Sequence, residues 1–409
     1  MHKTRKAQTE TMPIFPIGSK RSNSIGLALL LLLWSASHAA SEIQSGTRDA
    51  VPIHQESQPP EATETNPKPT PTPLQIVLMA GQSNTQGHGY MDTRDKDTGN
   101  FLNGTLEWMV ETFPEKYGKL KQASGDWTER DDVWISYNRQ SEFVSRPQRN
   151  QQGRLAAGFG GVRNAEMGPE LGFGWVLGDA LSGSSRNCLL VKAAWGGKSL
   201  AVDFRPPSAP GGTTGLFYEA MVANYYKTIA EIDTIVPAEL LAGGYELAGF
   251  VWHQGWNDGC DPSMTAEYQT NLAHLIRDLR LDLGVPELPV VVGVSGMVGW
   301  QTKFPHRNTI AEAQLAVAGD PEFSHTVATV ETRSFYRGAY PESPGNEIYH
   351  WNNNCESYWL VGEAMAEAMV GLLREKKTKG EKASSGKRHL RASRGRRANC
   401  AVLSKSETA

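Results

Sequence analysis

The chain has 409 residues, a net charge of −3 and a hydrophobic content of 39%, which excludes a coreless polymer and supplies a sizeable core once the two ends are set aside. Its four cysteines, Cys188, Cys260, Cys355 and Cys400, are too few for a disulfide scaffold and lack the paired spacing of a zinc site.

Both ends differ from the middle. Lys3, Arg5, Lys6, Lys20 and Arg21 precede the apolar run Ile25 to Trp34, and small residues follow to Ala40. This pattern predicts a secretory signal peptide over 1–40, cleaved after Ala39 or Ala40, with an uncleaved anchor as the alternative. The apolar run is short for a membrane span, so no stable insertion is expected after cleavage and the mature chain is expected to be secreted or periplasmic. Residues 41–73, rich in Pro, Thr, Glu and Gln, read as an extended linker. Residues 374–409 read as a basic tail, holding eleven Lys or Arg against two Glu from 376 onward. It is expected to be a solvated disordered arm, or one that adheres to polyanionic polysaccharide; nucleic acid is not an expected partner of an exported protein.

The folded part, 74–373, alternates strand and helix. Gln75 to Ala80 is an apolar run with the length of a buried parallel strand, and it stops at Gly81-Gln82-Ser83. Residues 91–165 read as an irregular insertion, rich in Gly, Asn and aromatics (Trp108, Tyr117, Trp127, Trp134, Tyr137, Phe159), with one strand-like stretch over Asp132 to Tyr137. Those aromatics either stack on sugar rings or hold the insertion together. Gly168-Pro169-Glu170 opens a helix. A strand over Asn187 to Ala194, a Pro/Gly loop at 201–215, a helix over Phe217 to Ile232 and a strand over Leu247 to His253 follow. An amphipathic helix over Thr265 to Leu283, a strand over Leu288 to Val294 and a helix over Ile310 to Ala318 come next. A strand over His325 to Val330 and a closing helix over Glu356 to Leu373 complete the domain. Such alternation implies right-handed crossovers and a parallel sheet.

In sheets of that kind ligands bind outside the carboxyl ends of the strands. Three strand ends here carry Gly-rich or polar turns: Gly81-Gln82-Ser83, Gly196-Gly197 and Gly255-Trp256-Asn257-Asp258. Taken alone, Ser83 reads as an ordinary helix N-cap. Beside the other two turns it becomes a candidate nucleophile, which needs a base and donors for a developing oxyanion. Its own amide, an amide of Gly196 or Gly197 and the Asn257 side chain could supply the donors. His350 lies on a loop before the closing helix with Glu347 three residues upstream, a spacing that lets one turn aim an acid at the imidazole. His253, directly before Gln254, is the rival base, and His88 is expected at the cleft rim. Cys260 and Cys355 each lie just beyond one of these segments, and a disulfide between them is a further expectation.

These residues resemble the SGNH hydrolases, in the sialate O-acetylesterase-like branch of carbohydrate esterases related to acetylxylan esterases. Gly81-Gln82-Ser83-Asn84 is similar to the family's opening GQSN motif, and Gly196 or Gly197 in AWGGKSL to the glycine of its second block. Gly255-Trp256-Asn257-Asp258 is similar to its Gly-x-Asn-Asp block, and Glu347-Ile348-Tyr349-His350 to its final Asp-x-x-His, with Glu for Asp. The resemblance spans Gln75 to Met369 and implies a flavodoxin-like three-layer α/β/α sandwich with a central parallel sheet. It implies Ser83 as nucleophile, His350 as base and Glu347 as the orienting acid, with Glu331 or no acid as alternatives. Ser83, Gly197 and Asn257 would form the oxyanion hole, and Gln82, Gln254, Gly196 and Trp256 would contact the substrate. The implied reaction is hydrolysis of O-acetyl esters on an oligo- or polysaccharide through an acyl-enzyme, with no metal or cofactor. A lipase or thioesterase on the same fold, and a glycan-binding protein without turnover, are the rival readings.

Overall fold

The computed structural model describes residues 71–138, 150–161, 165–183 and 186–403, so the expected signal peptide and most of the expected linker lie outside the described residues. Seven strands form the main sheet: β1 Leu74–Gly81, β2 Val133–Tyr137, β3 Gln151–Arg154, β4 Cys188–Ala194, β5 Tyr245–His253, β6 Val290–Gly293 and β7 Val327–Val330. Their spatial order is β3-β2-β4-β1-β5-β6-β7, and every neighbouring pair is parallel except β2 with β3. Without the two insertion strands the order is second-first-third-fourth-fifth, the flavodoxin-like order. The chain leaves β1 for β4 on one side and then crosses to β5 on the other. The loops diverge there and open a crevice at the carboxyl ends.

The apolar run of β1 follows from burial on both faces. Ile76, Leu78 and Ala80 enter one core with helices α3 Leu216–Ala230, α4 Pro262–Asp282 and α5 Pro305–Val317. Val77 and Met79 enter the other with α2 Pro169–Ser182 and α6 Cys355–Leu403. A strand covered on both sides loses polar alternation, which is why β1 reads as a continuous hydrophobic stretch. Three layers result, as expected.

Several boundaries move for identifiable reasons. Helix α4 begins three residues before the apolar periodicity does, because Asp261 caps it by accepting from the Ser263 and Met264 amides and Pro262 takes the first turn. The insertion is more regular than its composition suggests, with a helix at Leu106–Thr112 and two strands of the main sheet. Strand β3, Gln-Gln-Gly-Arg, carries no apolar pattern because it is an edge strand. The insertion aromatics serve packing: Tyr117 and Tyr137 are buried, and Trp108, Trp127, Trp134 and Phe159 pack against the two cores. The tail expected as a disordered arm instead continues α6 to Leu403, over residues that contain no proline and are rich in Lys, Arg and Ala.

The expected disulfide is absent, since Cys260 and Cys355 are both free. Cys355 is buried with its thiol donating to the Tyr90 carbonyl at 3.0 Å, whereas Cys260 is exposed beside Arg307. Among the described residues no helix is long and apolar enough to cross a membrane.

Candidate active site

The ends of β4, β1 and β5 are level, with Gly81 registered against Ala194 on one side and His253 on the other. A Cβ on Gly81 would lie 2.1 Å from the His253 carbonyl oxygen, so only glycine lets the two strand ends converge so closely. The four-residue helix α1, Ser83–Gln86, starts directly after. Its neighbours to the serine are all tied down. Gln82 donates to the Asn257 side-chain oxygen at 3.0 Å, and Asn84 donates to the Tyr349 carbonyl at 2.9 Å while accepting from the Tyr358 hydroxyl at 2.8 Å. Thr85 donates to the His253 carbonyl at 2.7 Å. Ser83 opens onto a cleft of about 480 Å³ shared with His88, Gly196, Gly197, Trp256, Asn257 and His350.

A buried ion pair supports this turn from below. Lys192, in the middle of β4, donates to the carbonyls of Gln86 and Phe159 (2.8 Å each) and to Glu170 at 2.7 Å, with both charged side chains essentially inaccessible. A lysine inside an otherwise apolar strand was the sequence signal for it, since a buried charge requires partners.

The second and third turns hold each other. A Cβ on Gly196 would come within 2.9 Å of Gln86 Oε1 and 3.6 Å of Ser83 Cβ, which places this glycine against the serine. Gly197 has φ of +71° and presents its carbonyl to Asn257 Nδ2 at 2.8 Å. Gln82 Oε1 accepts from the Gly255 and Asn257 amides at 3.2 and 3.3 Å, so one buried side chain fixes the Asn257 turn through three bonds. Gln254 does not face the cleft, contrary to the expectation of substrate contact. Its amide donates to Lys198 and Asp258, and its oxygen accepts from Tyr268, which uses its bonding capacity in the interior. Asp258 also accepts from the Leu200 and Ala201 amides, joining the second turn to the third, and burial pushes its carboxyl up to about 6.

His350 enters the cleft from a strained turn. Trp351, Asn352 and Asn353 take left-handed φ values of 54°, 52° and 61°, and such a run persists only where its surroundings enforce it. Asn352 bonds the Arg337 carbonyl, Asn353 the His88 carbonyl, and the Trp351 ring is fully buried. The Glu347 carbonyl accepts from both the His350 and Asn352 amides, folding acid and imidazole together. Glu347 Oε2 then lies 2.9 Å from His350 Nδ1. His88 stacks on His350 with centroids 4.1 Å apart, a contact its place near Ser83 did not disclose. Burial, and then the neighbouring His88, lower the His350 imidazole to about 4, with Glu347 opposing them.

Residues 73–371 match the profile of a family described as carbohydrate esterase, sialic acid-specific acetylesterase. The chain belongs to that family. It is 30% identical over 112 residues to a probable carbohydrate esterase of Arabidopsis thaliana, covering 27% of this chain and 39% of that protein, so it spans well under half of that curated relative. Among solved structures it is similar to NanS, at 15% identity and a TM-score of 0.44, over 75% of this chain and 99% of the other. A carbohydrate acetylesterase from Xanthomonas citri is 14% identical with a TM-score of 0.40, over 73% and 56% of the two chains.

The alternatives to the family pattern fall elsewhere in the fold. His253 is buried, its Nδ1 against the Gly293 carbonyl at 3.0 Å, and burial lowers it to about 4. Glu331 is held in a fork by Arg333, at 2.6 and 3.0 Å, rather than by a histidine. Trp256, expected among the substrate contacts, and Tyr349 line the cleft with ring centroids 5.9 Å apart, while the insertion aromatics, for which stacking and packing were alternatives, do not line it.

Proposed function

We propose that this chain is an exported serine esterase that removes O-acetyl groups from a carbohydrate. The observation that carries this reading is the shared cleft of Ser83 and His350, with the Glu347 carboxylate 2.9 Å from His350 Nδ1. The charged leader and apolar run at the amino end support export, and the family supports the sugar ester.

In this mechanism Ser83 Oγ attacks the acetyl carbonyl carbon as His350 Nε2 takes its proton. A buried imidazole near pKa 4 is neutral at pH 7, the form a base requires. Glu347 accepts the Nδ1 proton and favours the imidazolium that forms. The Ser83 amide, the Gly197 amide and the second Asn257 Nδ2 proton stabilise the oxyanion, each typically contributing about 3 kcal/mol. His350 then protonates the departing sugar oxygen. Water, activated by the same imidazole, cleaves the acyl-enzyme to acetate and free serine. Trp256 and Tyr349 present ring faces suited to the apolar face of a pyranose.

The test is acetate release from acetylated xylan, O-acetylated sialic acid and 4-nitrophenyl acetate by wild type and Ser83→Ala. Turnover on every substrate the wild type cleaves should fall by about three orders of magnitude or more, with the melting temperature unchanged. Turnover that survives in the variant places the nucleophile elsewhere, and wild-type activity on the small ester alone removes the carbohydrate from the reading.

A further inference from the structure

The carboxyl face of the sheet carries an exposed indole outside the cleft. Trp300 is 63% exposed, on the loop that follows β6, and so lies on the same edge of the sheet as the Ser83 turn. The loop is tightly built. Gly296 donates to the Val294 carbonyl at 2.9 Å and sits so close to the next loop that a Cβ would be 2.4 Å from Thr332 Oγ1. Gly299, at φ of +58°, bonds back to the Gly296 carbonyl at 2.9 Å and abuts the Tyr336 ring. One face of the Trp300 ring is covered by the Arg333 guanidinium, 4.2 Å from its centroid. Arg333 is itself buried and locked, by the Glu331 fork and by Glu312 at 2.9 Å.

An indole left mostly in water forgoes the burial that normally rewards a tryptophan, yet here two glycine turns and a clamped arginine fix its orientation. A guanidinium also covers an indole inside the cleft, where Arg307 lies 4.2 Å from the Trp256 ring. We propose that Trp300 is a remote sugar subsite, stacking a neutral pyranose unit of a glycan chain whose acetylated unit occupies the Ser83 cleft. This rests on the carbohydrate reading above. Two carboxylates beside one guanidinium leave a local excess of negative charge, which disfavours an acidic unit, while Glu312 can accept hydroxyl protons from a neutral one.

The experiment compares wild type, Trp300→Ala and Trp300→Phe on acetylated xylan and on 4-nitrophenyl acetate. KM on the polymer should rise about three- to tenfold in Trp300→Ala, the range of one aromatic stacking contact, and less in Trp300→Phe. Both kinetic parameters on the small ester should stay at wild-type values. An unchanged polymer KM, or a parallel loss on the small ester, overturns the subsite. Retardation of Ser83→Ala in gels containing acetylated xylan, with and without Trp300→Ala, separates this inference from the esterase reading. Trp300-dependent retardation without wild-type acetate release keeps the subsite and removes the esterase; no retardation, or retardation indifferent to Trp300, overturns the subsite.

Discussion

Replacing Glu347 by glutamine tests the site where the chain departs from the Asp-x-x-His pattern. The carboxylate contacts His350 Nδ1 at 2.9 Å, and a full charge about 4 Å away in a medium of effective dielectric 20 attracts an imidazolium by about 4 kcal/mol. The Glu347 side chain is 42% exposed, so water screens roughly half of that and leaves about 2 kcal/mol. Glutamine can still accept the Nδ1 proton, so orientation survives and the charge is what disappears. The expected result is a fall in kcat of about 30-fold. Because Glu347 raises the imidazole against burial, the acid limb of the rate profile, near pH 4 in the wild type, should move lower in Glu347→Gln. The assay is hydrolysis of 4-nitrophenyl acetate from about pH 3.5 to 8, with circular dichroism to verify the fold. A kcat within about twofold of wild type and an unmoved limb would refute the reasoning and leave a Ser83–His350 dyad.

Two further perturbations address stability. Lys192→Met leaves Glu170 buried without its cation and removes the donor from two carbonyls, so unfolding in urea should show a loss of about 3–5 kcal/mol. A loss below about 1 kcal/mol would mean that the Lys192–Glu170 pair and its two carbonyl bonds do not hold the Ser83 turn. His253 is held neutral by burial, about 4 against an unfolded value of 6.5. Its contribution is therefore complete above pH 6.5 and is lost as pH falls toward 4, where the unfolded chain binds the proton first. His350 acts in the same window, whereas Asp258, raised from 3.8 to about 6, opposes both, gaining stability as pH falls. Comparing urea midpoints of wild type and His253→Gln at pH 7 and pH 5 isolates the histidine. The wild type should lose more than the variant by up to about 2 kcal/mol, and equal losses would contradict the burial assignment.

Much of the architecture was written in short-range pattern. Continuous apolar runs of four to nine residues separated by amphipathic helices specify buried parallel strands, because both sheet faces must be covered. The turns at Gly81, Gly196 and Gly255 were legible as places where backbone approaches backbone. Strand β3 was not, since a polar edge strand has no hydrophobic period to read. Nor was the fate of the tail, whose charge argued for an arm while its helix-forming residues continue α6.

The candidate site divides in the same way. Sequence alone determined which residue types stand at the strand ends, and it supplied Glu347 and His350 at a spacing one turn can close. It favoured His350 on that spacing and kept His253 as the rival, because the chain order alone does not say which of the two shares the serine's cleft. Tertiary structure decided that. His253 ends a buried strand with its ring against the Gly293 carbonyl of the neighbouring strand, whereas three left-handed residues follow His350, whose ring stacks on His88 and lines the cleft. The same packing assigned Gln82 to the Asn257 turn, Gln254 to the interior and Asn84 to the Tyr349 loop. These bonds join residues more than fifty positions apart in the chain; the level ends of β4, β1 and β5 bring the first two sets of partners within reach, and the loop before α6 brings Tyr349 to Asn84.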